Sequence, residues 1–259
     1  MIMVLLKTCR EVAFHVAVIA VLEAKVFVIV LGSTLKELLF DDIVDTQAIQ
    51  FYTLRRRIRA ASDRQNKAPK YRNCVYFYPY AWYAVRNGIQ SRIDEHVCKP
   101  LQEIRVREME MLDYLLIPMN ISMDPLHAGY HWTLLVLHVQ RREWHFLNSL
   151  VSEVEDPYLL DARKMAAAVT PEINKRLTEP TLCVDVIQTA CPQQGPSPDC
   201  LLFTCYFMKK YAKDNGKSIE MDSKKDGEIC CEMRHKMAAK MLRPCENAIV
   251  WSAPNDDHL

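Results

Sequence analysis

A cysteine at the start of a predicted helix is the residue of this sequence best suited to do chemistry. The segment 191–199, Cys-Pro-Gln-Gln-Gly-Pro-Ser-Pro-Asp, contains three prolines and a glycine, which disfavour regular structure before Asp199. From Cys200 an apolar run to Met208 predicts a mostly buried helix with Asp199 at its N-cap. Cys200 then lies in the first helical turn, where the helix dipole favours the thiolate and lowers the pKa of the thiol. The alternative is a small buried cysteine in a capped helix.

A nucleophilic cysteine needs a base, and the base needs a group that orients it. Residues 130–150 form two apolar, β-rich runs around a short charged turn, which predicts a β-hairpin. His131 opens the first strand and Asn148 closes the second, so the imidazole and the amide are expected to meet. Papain-like enzymes use such a Cys-His-Asn set.

Gln194 stands six residues before Cys200 and has a side-chain N–H that can bind an oxyanion, together with the backbone N–H of Cys200. Among the other histidines, His127 stands two residues before a glycine in a predicted loop and is a rival base. His138 and His145 lie inside the hairpin and are interpreted as structural.

The order of these features resembles the ubiquitin-like-protein (SUMO) proteases of the Ulp/SENP family. The family pattern is His-Trp, then Asp-Ser-Leu, then Gln-x-x-x-x-Asp-Cys-Gly. The chain has His131–Trp132, Asn148-Ser-Leu150, Gln194 and Asp199–Cys200, with seventeen residues from His131 to Asn148. Weaker similarity runs from about Leu35 to Leu242.

The resemblance implies an α+β, papain-like cysteine protease fold with a central mixed or antiparallel sheet flanked by helices. It implies Cys200 as nucleophile, His131 as base, Asn148 as orienter and Gln194 as oxyanion donor. It also implies that Trp132 covers the extended glycine-glycine tail of the substrate, and that Ile43 lies at a second position that contacts this tail.

Three positions differ from the family pattern. Asn148 replaces an aspartate, Leu201 replaces the glycine after the cysteine, and Ile43 replaces a tryptophan that clamps the substrate tail. Leu201 and Ile43 would weaken activity, so the sequence indicates a divergent member.

The expected function is that of a cysteine peptidase that cleaves after the C-terminal Gly-Gly of a SUMO-like modifier, in precursor processing or deconjugation (deSUMOylation). One alternative is a ubiquitin-like-binding pseudo-protease that has lost turnover. A second is an acyltransferase on the same scaffold, because an acyl-thioester can pass to an amine instead of water. No metal or organic cofactor is needed for any of these, and the expected partner is a ubiquitin-like protein or its conjugates.

The composition bears on partners and compartment. The chain has 259 residues, and its 33 basic and 32 acidic residues nearly cancel, so nothing indicates a nucleic-acid-binding surface. Its ten cysteines show no disulfide framework or paired metal-ligand spacing, which favours a reducing compartment. We expect a monomer located inside the cell, in the nucleus or cytoplasm.

The chain divides into an apolar N-terminal extension at 1–33, a catalytic domain at 34–250 and a tail at 251–259. The extension is interrupted by Glu23 and Lys25, so buried strands or a core helix are expected rather than a membrane span or a signal peptide. Helices are predicted for Leu35–Arg59 and Glu228–Leu242, and one or two for Pro157–Leu177 with a break at Pro171. Leu182–Gln188 is predicted to be a short strand.

Overall fold

A five-stranded mixed sheet forms the centre of the fold in the computed structural model. The structure describes residues 18–22, 26–30, 37, 44, 46–65, 72–121, 129–150, 158–214, 216, 219 and 226–242. The strands are β3 (Cys74–Tyr76), β4 (Tyr114–Ile121), β5 (His131–His138), β6 (Glu143–Leu147) and β7 (Val186–Gln188), in the order β3-β4-β5-β6-β7. The β4–β5 and β5–β6 pairs are antiparallel. The edge strands β3 and β7 are each parallel to their neighbours, β4 and β6. The sheet is therefore mixed, as expected.

The described residues also form helices. They are α1 (Thr46–Gln65), α2 (Tyr80–Arg86), α3 (Gln90–Ile93), α4 (Lys99–Gln102), α5 (Val106–Glu110), α6 (Leu159–Asn174), α7 (Cys200–Asp214) and α8 (Asp226–Leu242), with a π-helical segment Asp94–Cys98 between α3 and α4. The fold is α+β, as the sequence predicted.

The two faces of the sheet carry different helices because side chains alternate along each strand. Alternate residues of β4 and β5, such as Ile117 and Leu135, join a buried cluster with α2 and α6. On the opposite face, Tyr211 of α7 packs edge-on against Tyr114 and His138, with ring centroids 5.2 and 5.5 Å apart. Helices α6 and α7 therefore lie on opposite faces of β5, and the start of each comes near the start of that strand.

Several predicted boundaries are wrong, for local reasons. Helix α1 continues to Gln65 rather than Arg59, through alanines that favour helix. Helix α6 passes through Pro171 without a break, since Lys175 N–H bonds to the Pro171 carbonyl at 3.2 Å. Strand β7 is shorter than predicted, because the backbone N–H and carbonyl of Leu182 bond to the side chain of Asn174 at 3.2 and 3.3 Å.

The N-terminal segment contains two paired strands, β1 (Val18–Leu22) and β2 (Val26–Val30), in a separate antiparallel sheet. Contacts divide the chain into one unit spanning Tyr52–Met233 and another that draws on Met1–Phe51 and Arg234–Leu259. The predicted domain boundaries after residues 33 and 250 stay predictions. Within the described part of the chain, none of the helices combines the length and apolar character that a membrane crossing requires.

The stability of this fold is expected to depend on His138. Burial, with the nearby His145 and Arg141, lowers the pKa of His138 to about 3. Below the ordinary histidine pKa of about 6.5, this histidine binds a proton in the unfolded chain but not in the folded chain. The free energy of unfolding therefore falls as the pH drops from about 6.5 towards 3.

We therefore expect His138→Gln to lessen the loss of unfolding free energy between pH 7 and pH 4.5, measured by urea denaturation. The exposed His235 offers the matched control His235→Gln, which is expected to keep the wild-type slope. Equal slopes for all three proteins would remove His138 as the cause.

Candidate active site

Cys200 begins helix α7, as predicted. The carbonyl of Asp199 accepts bonds from the backbone N–H groups of Leu202 at 2.9 Å and Phe203 at 3.1 Å, so Asp199 sits at the helix start. The Cys200 side chain is 5% exposed, and its Sγ lies 4.0 Å from the carbonyl oxygen of Tyr130. The thiol is therefore held against the beginning of β5, next to His131.

The pKa of Cys200 does not follow the helix-dipole prediction. Burial raises the pKa of the thiol, and the nearby charge of Asp199 raises it too. Hydrogen bonding from the backbone N–H groups of Trp132, Leu201 and Cys200 itself lowers it, without overcoming the burial. The prediction of a lowered pKa was wrong because desolvation outweighs the helix terminus. A reaction through the Cys200 thiolate would therefore require transfer of the thiol proton to a nearby base.

His131 and Asn148 meet as the hairpin predicted. His131 Nε2 lies 2.6 Å from Asn148 Oδ1, and both side chains are buried, at 3% and 5% exposure. The same Oδ1 accepts the backbone N–H of Leu150 at 3.0 Å. A backbone N–H can only donate, so this bond fixes which end of the amide is oxygen. His131 Nε2 must therefore donate its hydrogen to Asn148, which makes Nδ1 the basic nitrogen of the neutral ring.

Gln194 is buried in the loop before α7 and is held at both ends of its amide. Its Oε1 accepts the hydroxyl of Ser149 at 2.8 Å, and its Nε2 donates to the carbonyl of Ser197 at 2.7 Å. Its backbone N–H also bonds to the Ser149 carbonyl at 2.7 Å. The loop thus joins the segment after β6 to the start of α7. Binding of an oxyanion by Gln194 stays a prediction.

The other predicted site residues have different outcomes. Trp132 is 6% exposed and supplies a backbone N–H to the thiol, while the predicted covering of a substrate tail stays a prediction. Leu201 is 2% exposed, so its side chain is buried. Ile43 and His127 lie outside the described residues. His138 and His145 are in mutual ring contact, with centroids 4.4 Å apart, near the far end of β5 from His131.

Two contacts at the site were missed by the sequence analysis. The Gln193 side chain donates to the carbonyls of Cys191 at 2.8 Å and Asn148 at 3.2 Å, so it ties the proline-rich loop to the orienting residue. The ring of Tyr158, at the start of α6, lies 5.1 Å from the ring of His131 at an angle of 31°. No sequence pattern indicated either contact, because both join segments that are distant in the chain.

No group of three or more histidine, cysteine, aspartate or glutamate side chains in the described residues is arranged to hold a metal ion.

Comparison with known families gives one match that covers most of the chain. The family model described as the Ulp1 protease family, C-terminal catalytic domain, matches residues 45–249. No curated protein matches the sequence.

Solved structures with a similar fold share little sequence with the chain. The C-terminal Ulp1 protease domain, solved in complex with Smt3, the yeast orthologue of SUMO, is 16% identical with a TM-score of 0.61, and the match covers 83% of each chain. A structure described as a de-sumoylating protease is 14% identical with a TM-score of 0.56, over 87% of this chain and 92% of that one. The Ulp1-like SUMO protease catalytic domain of Chaetomium thermophilum is 18% identical with a TM-score of 0.52, over 77% and 72%. At this identity the likeness shows the fold alone.

The neutral Asn148 leads to a prediction for catalysis. Asn148→Asp is expected to keep or raise activity, because a carboxylate also accepts from His131 Nε2 and stabilises the imidazolium more strongly. Asn148→Leu removes the acceptor and is expected to lower kcat by at least about tenfold. Both are measured as kcat and KM on a SUMO-like precursor. An unchanged kcat in Asn148→Leu would contradict a catalytic role for Asn148.

Proposed function

The chain belongs to the Ulp1 protease family, and from this premise we propose that it is a cysteine peptidase that cleaves after the C-terminal Gly-Gly of a SUMO-like modifier. The observation that carries the proposal is the close arrangement of Cys200, His131 and Asn148. The Cys200 thiol lies against the backbone on both sides of His131, and His131 is held by Asn148 through the 2.6 Å bond.

The first half of the reaction begins with proton transfer from the Cys200 thiol to His131 Nδ1. The thiolate sulfur then forms a bond to the carbonyl carbon of the last glycine, and the carbonyl oxygen becomes an oxyanion. The Cys200 backbone N–H and the Gln194 amide stabilise that oxyanion. When the tetrahedral intermediate collapses, the C–N bond breaks, and His131 returns its proton to the leaving amine. An acyl-enzyme remains on Cys200.

In the second half, His131 takes a proton from water, and the hydroxide attacks the acyl-enzyme carbonyl. The C–S bond breaks and the protonated thiol is restored. The product is the modifier with a free carboxyl terminus. The residues that carry these steps are already fixed by hydrogen bonds, which reduces the reorganisation needed during the reaction.

The Gln194 amide suits the oxyanion role because it is immobilised. Ser149 holds its oxygen and Ser197 takes one of its two amide hydrogens. The second amide hydrogen is the one that would reach the oxyanion. A donor positioned in advance is worth far more to a transition state than one that must first be ordered.

The SUMO-like identity of the substrate is supported by the family and by the similar structures. One of them is a protease domain in complex with Smt3, and another is described as a de-sumoylating protease. The restriction to Gly-Gly rests on the predicted covering of the tail by Trp132. Precursor processing and deconjugation differ only in the amine that leaves, and the proposed chemistry serves both.

The alternative of a ubiquitin-like-binding pseudo-protease that has lost turnover depends mainly on Leu201. Its bulk next to Cys200 would block the oxyanion hole only if the side chain lay across it. At 2% exposure the side chain is packed in the interior, which favours the active enzyme. The acyltransferase alternative shares every step up to the acyl-enzyme and differs only in whether an amine or water attacks it.

We also propose that the protein acts as a monomer inside the cell, in the nucleus or cytoplasm. A buried thiol that must stay reduced for nucleophilic attack is consistent with a reducing compartment.

The nucleophile is tested with SUMO-like proteins that carry a C-terminal thiol-reactive warhead. The wild-type chain is expected to form a covalent adduct, and Cys200→Ala is expected to form none while keeping its fold, because alanine suits a first helical turn. The exposed Cys183 provides the matched control Cys183→Ala, which is expected to label normally. Labelling at Cys191 or Cys205 instead, or binding without any adduct in the wild type, would contradict the proposal.

Leu201 gives a separate prediction. Leu201→Gly is expected to lower stability by about 1.5–3 kcal/mol or more, the value of burying a leucine, and to change kcat/KM little. Thermal or urea denaturation measures the first, and cleavage of a SUMO-like precursor the second. A gain in kcat/KM of about two orders of magnitude would mean that Leu201 obstructs the oxyanion hole.

A further inference from the structure

Asn148 lies just beyond the strand that leads to it. The ladder of β6 with β5 ends at Leu147, and the ladder of β6 with β7 ends at Phe146. The Asn148 side chain must nevertheless be placed accurately, because its Oδ1 meets His131 Nε2 at 2.6 Å. The directions open to a side chain depend on the backbone that carries it. The groups that hold the Asn148 main chain therefore bear on the orientation of His131.

The Gln193 side chain bonds to this main chain. Its Nε2 donates to the Asn148 carbonyl at 3.2 Å and to the Cys191 carbonyl at 2.8 Å. A carbonyl oxygen can only accept, so the end of the amide that faces both carbonyls must be the nitrogen. An amide nitrogen carries two hydrogens, which is enough for both bonds. The amide thus bridges the backbone of Asn148 and the backbone of the proline-rich loop.

This bridge lies between two backbone bonds that join the same two segments. Before it, the Thr189 N–H donates to the Phe146 carbonyl at 2.9 Å. After it, the Gln194 N–H donates to the Ser149 carbonyl at 2.7 Å. The two segments therefore run side by side on both sides of Asn148.

The Asn148 carbonyl accepts two side-chain donors from the loop. One is the Gln193 amide, and the other is the Cys191 thiol, whose Sγ lies 3.1 Å from the same oxygen. A thiol is a weak donor, so the amide forms the stronger of the two bonds. The hold on Asn148 therefore depends on which side chain stands at position 193.

We propose that Gln193 is a positioning residue that fixes the main chain of Asn148 and, through the Asn148 side chain, the ring of His131. It acts through Asn148 rather than on the substrate. The inference rests on the proposed function, because it assumes that His131 is the base of the reaction.

The chain offers a matched control at Gln140. Its Nε2 also donates to two backbone carbonyls, those of Glu110 at 2.5 Å and Leu112 at 3.0 Å. Strand β5 runs from His131 to His138, so Gln140 makes the same kind of bridge at the other end of that strand from the site. Gln140→Met removes this bridge without touching Asn148.

The first measurement needs no substrate. In protein with ¹⁵N-labelled histidines, at a pH where the ring is neutral, the rate at which the His131 Nε2 hydrogen exchanges with water reports how firmly Asn148 holds it. The signal is assigned as the one that is missing in His131→Gln. We expect Gln193→Met, which has a side chain of similar length without a donor, to raise this exchange rate roughly 2- to 12-fold, the factor that corresponds to the net value of one hydrogen bond.

The second measurement is cleavage of a SUMO-like precursor. Gln193→Met is expected to lower kcat by a similar factor and to keep KM within about twofold, because the bond acts on the base and not on substrate binding. In the Asn148→Leu background the same change is expected to leave kcat unaltered, since no Oδ1 remains to be positioned. A general loss of folded protein would lower kcat in both backgrounds.

Gln193→Asn separates the two bonds of the amide, and it serves if the methionine variant does not fold. Asparagine is one methylene shorter, so it is expected to keep the bond to the nearby Cys191 carbonyl and to lose the bond to Asn148. It should therefore behave like Gln193→Met in both measurements. Gln140→Met is expected to keep the wild-type exchange rate and kcat.

Three results would overturn the proposal. The first is wild-type exchange and kcat in folded Gln193→Met or Gln193→Asn, the second is the same change in Gln140→Met, and the third is an equal loss of kcat in the Asn148→Leu background. The exchange measurement separates this inference from the proposed function. If exchange rises as expected and the wild-type chain cleaves no precursor, the proposed substrate is wrong and the role of Gln193 stands. If the wild-type chain cleaves the precursor and neither quantity changes in the Gln193 variants, the proposed function stands and the role of Gln193 does not.

Discussion

The hydrogen bond between His131 Nε2 and Asn148 Oδ1, 2.6 Å long and buried, is the interaction on which the rest of the site depends. Asn148 is the point where three parts of the chain meet. Its side chain binds β5 through His131, and its Oδ1 is fixed by the backbone of Leu150. Its carbonyl accepts the Cys191 thiol at 3.1 Å and the Gln193 amide. The ring of the base and the loop that delivers Cys200 are thereby set by one residue.

Burial disfavours the charged form of each of the two residues proposed to react, the thiolate of Cys200 and the imidazolium of His131. For Cys200, burial raises the pKa of the thiol, and three backbone N–H groups offset part of that cost. For His131, the cost falls on the imidazolium, whose ring is held by the hydrogen bond to Asn148 and packs against the ring of Tyr158. A dry site strengthens each of these interactions, since water no longer screens them. Burial therefore disfavours each charge separately, but once both have formed they attract each other more strongly than they would in water.

The parts of the site that local patterns specify could be predicted from the sequence. The hairpin that brings His131 to Asn148 follows from alternation and a short turn, and the start of α7 at Cys200 follows from prolines before an apolar run. What depends on packing between distant segments could not. Tyr158 reaches His131 only because α6 packs on that face of the sheet. The raised pKa of Cys200 depends on burial in the folded protein, and the unbroken passage of α6 through Pro171 depends on helix bonds that continue beyond it.

The central claim is that Asn148 fixes the tautomer of His131, leaving Nδ1 to take the proton of Cys200. Long-range ¹H–¹⁵N spectroscopy of the His131 side chain, in Cys200→Ala at a pH where the ring is neutral, tests this most directly. The account predicts a protonated, pyrrole-type shift for Nε2 and an unprotonated, pyridine-type shift for Nδ1. The opposite assignment, with the hydrogen on Nδ1 and an unprotonated Nε2 facing Asn148, would contradict it.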